Sequence, residues 1–471
     1  MFGGKEGDMF QTEEYLQLDS PGKLIFEGSE TAQLFTKEIE ESLRGVLEKN
    51  FVSKGENRGF VNASVDGRPW DKTMWSRDAG NFLRELVHYG YFGHACMQAG
   101  YMIDHCGINE KGFYTFPEYQ GLGEVKSGNE LDGTCAAMIA FCLFLQKLGP
   151  CEHKIIKSVC EKVERFLTCP KSPLLYLIRE VEANQLIAGS GEFGGGMGVD
   201  GAWCNVVQNH LAVNALCIGS KTLNGEIASK ARRAMCALLH NIRTHLIDEG
   251  GFVWCVSPET FQRNADCLNA DANVGFAGTN GCGAMMCDVE GDESFHAYWK
   301  EAGNDAARKT FLHLLAAEGR KVQFEKYGMY IQFETYCEGL LTSPSYGQGY
   351  ALQLALNLNE QGYAERLFQY LVNATYNPPA QYRLTRDNKF WFYERFLSPD
   401  YFALPPDRQT VEEGCGALNL INVSEPLKIA RQLAGLTTIG AKPNPVKIAD
   451  INKITVENWT GSNLEKINVV L

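Results

Sequence analysis

The sequence predicts an all-α protein, an (α/α)6 toroid of helical hairpins with short β-hairpins in its loops and a small extended C-terminal tail. Three observations point there. Apolar residues recur at helical spacing along most of the chain. Loops rich in Gly, Pro and aromatic residues separate those segments. No alternation of strand and helix of the kind that builds a parallel sheet occurs.

Helical spacing is carried by Ala32–Glu48, Phe82–Cys106, Leu131–Leu148, Glu152–Leu167, Cys204–Ile218, Glu226–Leu246 and Ser294–Leu315, and then by Gly347–Leu358, Tyr363–Asn373 and Gly416–Leu433. Gly90 and Pro426 read as helix-to-helix turns, which brings the total to about a dozen helices, or six hairpins. Strand signals are short: Gly251–Val256 (GFVWCV) and Tyr327–Phe333 (YGMYIQF) read as loop hairpins. An open solenoid would carry a fixed-period consensus, and none is present, so a closed ring is the better fit. Residues 1–30 read as an N-terminal extension and 31–435 as the toroid. Beyond Gly435, two prolines and alternating Val, Ile and polar residues predict an extended tail, 436–471, packed on the body.

Composition narrows the partners. Hydrophobic residues make up 45% of the chain and charged residues 21%, enough apolar material for one large core. The net charge of -13 argues against nucleic acid, which draws affinity from clustered Lys and Arg, and favours a neutral or cationic ligand. Sixteen cysteines, among them Cys96, Cys142, Cys160, Cys217 and Cys236, sit in apolar helical contexts with no CxxC spacing. They read as packing thiols of a reducing compartment. With no secretory pattern at the start and no long apolar run, the expectation is a cytoplasmic protein without a membrane partner. Nine histidines form no HExxH or other ligand pair, and no GxSxG elbow occurs, so neither a metal nor a cofactor is expected.

The loops before the helices hold the chemistry. Trp70–Asp78 (WDKTMWSRD) precedes a helix, placing Asp78 where an N-terminus favours a carboxylate and Arg77 beside it as a fork of donors. Such a pair hydrogen-bonds sugar hydroxyls while an indole such as Trp75 stacks on the ring; helix capping alone is the plainer reading. Glu130 and Asp132 stand at the next helix start. Gly191–Asn205 is glycine-rich and carries Asp200 and Trp203, but lacks the strand and basic residue of a phosphate loop. Phe324–Tyr346 interleaves Glu334 and Glu338 with tyrosines and ends on Tyr346, a pattern that suits a sugar cleft and an ordinary half-exposed strand equally. Phe390–Gly416 holds Trp391 and the Glu412-Glu413 pair before the last helix.

The run Trp75, Arg77, Asp78 resembles the Trp-x-Arg-Asp run of glucoamylase-like, six-hairpin glycosidases, and Asn129-Glu130-Leu131-Asp132-Gly133 is similar to their second loop. The resemblance implies that Arg77 and Asp78 hold hydroxyls of the terminal sugar. It also implies a water-activating base in the loop before the last helix, at Glu413 or Glu412. The carry-over fails in the third loop, where Cys204 and Asn205 follow Trp203 in place of the family's general-acid glutamate; Asp200 is the nearest substitute.

These parts would make a glycoside hydrolase that cleaves a terminal bond of an α-linked oligosaccharide by inversion, with Asp200 as acid and Glu413 or Glu412 as base. Inversion requires the two carboxyl groups about 6.5 to 9.5 Å apart; about 5 to 5.5 Å signals retention. Two alternatives stand: a sugar epimerase or lyase using His210 or His296, and a carbohydrate-binding protein without activity.

Overall fold

A computed structural model describes residues 10–65, 71–124, 126, 130–189, 203–263, 291–316, 341–342, 346–376, 392, 396–397, 403–409, 418–459 and 464–471. The chain folds as an (α/α)6 toroid. Among the described residues, the inner layer consists of α3 (Ser76–Tyr89), α5 (Leu131–Leu148), α8 (Val206–Thr222), α12 (Tyr346–Asn357) and α14 (Leu420–Ala434). Around them lie α2 (Glu30–Lys49), α4 (Phe92–Asp104), α6 (Lys154–Thr168), α7 (Pro173–Asn184), α9 (Gly225–His245) and α13 (Gln361–Tyr376). Short α1 (Thr12–Leu16) precedes them. The outer layer also contains α10 (Glu293–Tyr298), which continues through a π-turn at Trp299–Gly303 into α11 (Asn304–Ala316).

Burial separates the two layers. Every residue of α3 is buried, while α6 buries Ile155, Ile156, Val159, Cys160, Val163, Phe166 and Leu167 and leaves its polar stripe outside. Among the described residues, one helix, α5, is long and apolar enough to cross a membrane by length and composition. It is 83% buried inside the ring, which explains its hydropathy as that of a central helix in a two-layer fold.

Helix boundaries follow local chemistry. Gly90 takes φ +83°, the left-handed conformation that ends α3 before α4 begins at Phe92. Pro426 does not form the turn its residue type suggests; it lies inside α14. The side chains that follow it, notably Lys428 and Arg431, lock that helix to its neighbours, which offsets the backbone bond proline cannot make. Helix α7 escaped the sequence reading, although Ser172 caps it through Leu174 N–H and Pro173 occupies its first position.

The ring closes where the last inner helix meets the first. Arg431 grips Glu85 with two parallel hydrogen bonds of 2.7 Å, Lys428 Nζ donates to Asn81 Oδ1 at 2.7 Å, and Tyr89 donates to the Leu427 carbonyl at 3.1 Å. Asn81 pairs with 428 and Glu85 with 431, so α3 and α14 run parallel, N-termini together. Gln353 of α12 reaches Glu425 at 2.5 Å and Gln432 reaches Asn357 at 2.9 Å, extending the same parallel order. Between α3 and α5 the contact is steric. A Cβ on Gly80 would lie 2.7 Å from the Ala136–Ala137 backbone, and one on Gly133 would lie 2.9 Å from Ser76 Cβ.

The chain termini meet on the outside. Strand β1 (Lys23–Gly28) pairs antiparallel with β12 (Ile451–Trp459), which pairs with β13 (Leu464–Val470). Trp459 packs edge-on against Tyr89 at 5.0 Å, tying this sheet to the end of α3. The remaining strands are loop pairs: β2 (Thr73–Trp75) with β5 (Tyr119–Gly121), β3 (Gly107–Ile108) with β4 (Tyr114–Thr115), β6 (Cys204–Asn205) with β9 (Cys255–Val256), β7 (Ile247–Asp248) with β8 (Gly251–Phe252), and β10 (Leu341–Thr342) with β11 (Phe396–Leu397). The GFVWCV segment is therefore split between two pairs. Tyr327–Phe333 lies outside the described residues.

Eleven cysteines among the described residues are thiols, seven of them buried, in α4, α5, α6, β6, α8 and β9. Burial pushes Cys106, Cys160 and Cys204 up to about 12, and Cys96 and Cys135 further in the same direction, which keeps them protonated and unreactive.

Two stability predictions follow from buried charge. Arg431→Met strands the Glu85 carboxylate in the ring interior and should cost about 3–5 kcal/mol in urea unfolding, whereas Arg431→Met combined with Glu85→Leu should recover most of that loss. Glu38 of α2 is fully buried, and desolvation holds its carboxyl well above the usual range, with Thr375 offsetting this only in part. Because the folded state binds this proton more tightly, its contribution is whole below the ordinary carboxyl range and is lost as pH rises through the raised value. Melting curves across pH should therefore show Glu38→Gln losing less stability than the parent chain toward alkaline pH.

Candidate functional site

The parallel inner helices bring their N-termini to one end of the ring, and the loops before them are pinned there. Leu420 N–H donates to the Ala63 carbonyl at 3.0 Å, Ala63 N–H to Thr73 at 2.7 Å, and Ser76 N–H to Glu118 at 3.2 Å. Asn50 Nδ2 holds the Asn62 and Leu418 carbonyls, both at 2.9 Å. Phe116 N–H meets Thr134 of α5 at 3.1 Å, and Asn209 of α8 exchanges hydrogen bonds with Ile187. Four loops far apart in sequence thus share one floor.

On that floor Arg77, Asp78, Glu130 and Asp132 are all buried. Arg77 Nη1 lies 3.2 Å from Asp132 Oδ2, and its Nε lies 3.6 Å from Asp78 Oδ1. Both aspartates sit in first turns, of α3 and α5, where backbone N–H groups favour negative charge. Glu130 is the residue before α5 and Trp75 the residue before α3. The close approach allowed by Gly80 and Gly133 is what brings Arg77 within reach of Asp132. One turn deeper, Asn81 donates to the Arg77 carbonyl at 2.9 Å and accepts from Lys428, so the arginine's backbone is braced by the ring-closing contact.

Trp75 pairs in register with Tyr119 across β2 and β5, their rings 5.5 Å apart and inclined by 36°. Tyr119 is 46% exposed and carries Lys126 over its face at 4.7 Å. This gives the charged floor an aromatic edge, of which the sequence reading had only Trp75. Trp203 is half-buried and its carbonyl accepts from Gly189 N–H at 3.2 Å, which places it beside the start of α8. Trp254 was also missed: its carbonyl accepts from Val206 N–H, the first residue of α8, and its indole N–H is buried with no partner among the described residues. Only the pairing of Cys255 with Asn205 brings that tryptophan here, and no local motif signals it.

Several expected site residues fall outside the described ones: Asp200, Glu334, Glu338, Trp391, Glu412 and Glu413. Tyr346 is the first residue of α12, and its side chain is likewise outside. Of the two histidines held for proton transfer, His210 is buried and engaged on both ring nitrogens, with Val206 O at 2.7 Å and the Tyr298 hydroxyl at 2.8 Å. Its Nδ1 carries the hydrogen, its Nε2 accepts from Tyr298, and burial lowers its pKa to about 4. That is a neutral structural histidine. His296 sits at the opposite end of the ring, where the C-termini of α12 and α14 open on a cavity.

No protein-family profile matches the chain, and no curated protein matches it in sequence. Solved structures do match in fold. A variant of an enzyme described as a glycosidase superposes with a TM-score of 0.56 at 10% identity, covering 84% of this chain and 96% of that one. Glucoamylase from Hormoconis resinae gives 0.54 at 13% identity over 88% and 77% of the two chains. D-mannose isomerase gives 0.53 at 12% identity over 85% and 97%. The fold is thus a six-hairpin toroid like theirs.

Proposed function

We propose that this chain is a glycoside hydrolase that takes the terminal sugar of an α-linked oligosaccharide at the N-terminal end of its inner helices. The observation that carries the reading is the buried Arg77–Asp78–Asp132 cluster beneath the Trp75–Tyr119 ring pair. Carboxylates accept from sugar hydroxyls, the guanidinium donates to them, and an aromatic face covers the C–H side of the ring. Neutral ligands suit a chain of net charge -13. Enzymes of this fold include a glycosidase and a glucoamylase, which agrees with that chemistry.

In this reading Asp200 gives a proton to the leaving oxygen, and Glu413 or Glu412 directs water to the anomeric carbon from the opposite face, inverting its configuration. Arg77 and Asp78 hold the terminal sugar whose anomeric carbon is attacked, and Asp132 orients Arg77. A cytoplasmic setting belongs to the same reading, because a chain with sixteen cysteines suits a reducing compartment.

The test is turnover of a panel of α- and β-linked disaccharides and aryl glycosides, with the product anomer followed by proton NMR. Arg77→Lys keeps the charge but loses the fork, and Asp132→Asn keeps the shape but loses the charge. Each should lower kcat/KM about 100-fold with an unchanged circular dichroism spectrum. Asp200→Asn and Glu413→Gln should abolish hydrolysis. An active Asp200→Asn, Glu413→Gln double variant rejects both catalytic roles.

A second reading, sugar isomerisation, is favoured by the fold match to D-mannose isomerase. Deuterium incorporation from solvent at a sugar carbon without bond cleavage would select it over hydrolysis.

A further inference from the structure

At the far end of the ring, the C-termini of α12 and α14 and the segment 437–446 enclose a cavity of about 660 Å³, walled on the remaining side by α10 and the π-turn. Its lining contains Lys428, Arg431 and Lys442 and, among the described residues, no aspartate or glutamate. Glu85 and Glu425 behind the lining pair with Arg431 and Lys428, so among the described residues the unpaired charge on this lining is that of Lys442.

The cations differ in what they have left to offer. Arg431 is spent on Glu85 and on the carbonyls of Leu436 and Thr437. Lys428 is likewise engaged in the ring interior, donating to Asn81 and to the Glu425 carboxylate. Lys442 is exposed and makes no ion pair among the described residues. Thr438, on the same wall, makes no side-chain hydrogen bond there. The Lys442 ammonium and the Thr438 hydroxyl are donors of the kind a phosphate monoester takes up.

The opposite wall is aromatic and held in place. Trp299 is half-buried and stacks on Phe295, their centroids 6.0 Å apart and planes inclined by 27°. Tyr298 is anchored to His210 of α8. The π-turn that begins at Trp299 shifts the helix register at this point, a feature that recurs at functional sites. A Cβ on Gly303 would lie 2.7 Å from Trp299 Cε3, so glycine is required for the indole to keep its place. An indole face opposite phosphate donors describes a ligand with a ring at one end and an anion at the other.

We infer that this cavity is a second binding site, separate from the N-terminal end of the ring, for a phosphorylated monosaccharide. It rests on the cavity's own lining and stands whether or not the chain hydrolyses glycosides.

Isothermal titration of the whole chain with glucose 6-phosphate, glucose and inorganic phosphate tests it. Glucose 6-phosphate should bind more tightly than either fragment. Lys442→Glu should weaken it at least about tenfold, equivalent to about 1.4 kcal/mol. Trp299→Leu should weaken glucose 6-phosphate while leaving inorganic phosphate unchanged. Gly303→Ala, a milder change behind the indole, should act in the same direction as Trp299→Leu. Absence of saturable glucose 6-phosphate binding to the parent chain, or binding that Lys442→Glu leaves intact, overturns the inference. Arg77→Lys, at the other end of the ring, should not alter this binding; loss of binding in that variant would assign the phosphate sugar to the N-terminal site and overturn it equally.

Discussion

Closure of the helical ring is the constraint on which the rest depends. The first inner helix and the last are 346 residues apart at the Arg431–Glu85 pair, and nothing local in the chain brings them together. The join is polar, although it is buried on all sides. Glu85 is matched by a two-pronged guanidinium, and Lys428 is matched by Glu425 and Asn81, so no charge at the join is left uncompensated. Burial still raises the pKa of Glu425, and Lys428 and Gln353 only partly oppose it. A polar join has geometry that an apolar one lacks. It fixes the parallel register of α3, α12 and α14, and with it the level at which their N-termini end.

That level sets the candidate site. Arg77 lies one turn above Asn81, whose amide binds the Arg77 carbonyl on one side and Lys428 on the other. On the α5 side, absence of side chains does the work: Gly80 and Gly133 let two helix backbones approach until Arg77 meets Asp132. The three charged residues are thus placed by two different devices, a hydrogen-bonded join and a steric gap. A substitution at Gly80 or Asn81 moves the site without touching it.

Much of the fold was legible in the sequence because two-layer helices write their burial as periodicity. The breaks were legible only where residue type decides conformation. Gly90 needs a left-handed backbone and ends α3, whereas Pro426 only removes one hydrogen bond and is overridden by the contacts of α14. Lys23–Gly28 gave too short an alternation to be read as a strand, since its partner is the far end of the chain. At the site, Trp75, Arg77, Asp78, Glu130 and Asp132 were legible as residues flanking helix starts. Tyr119 and Trp254 were not, because each arrives through a strand pair of two or three residues whose partner lies elsewhere in sequence.

Parallel inner helices also give the two ends of the ring opposite chemistry. At the N-terminal end, exposed N–H groups favour carboxylates, and Asp78 and Asp132 collect there. At the C-terminal end, carbonyls face outward and favour cations; Arg431 also binds the carbonyls of Leu436 and Thr437, just beyond the end of α14. Had every cation at that end been used in this way, its charge would be explained by the helices alone. Lys442 exceeds that need, and it lines the same cavity as Trp299. The surplus is what separates a capped helix end from a place where an anion can bind. The two proposals divide accordingly: a neutral sugar at the end where carboxylates gather, and an anionic one at the end that carries Lys442.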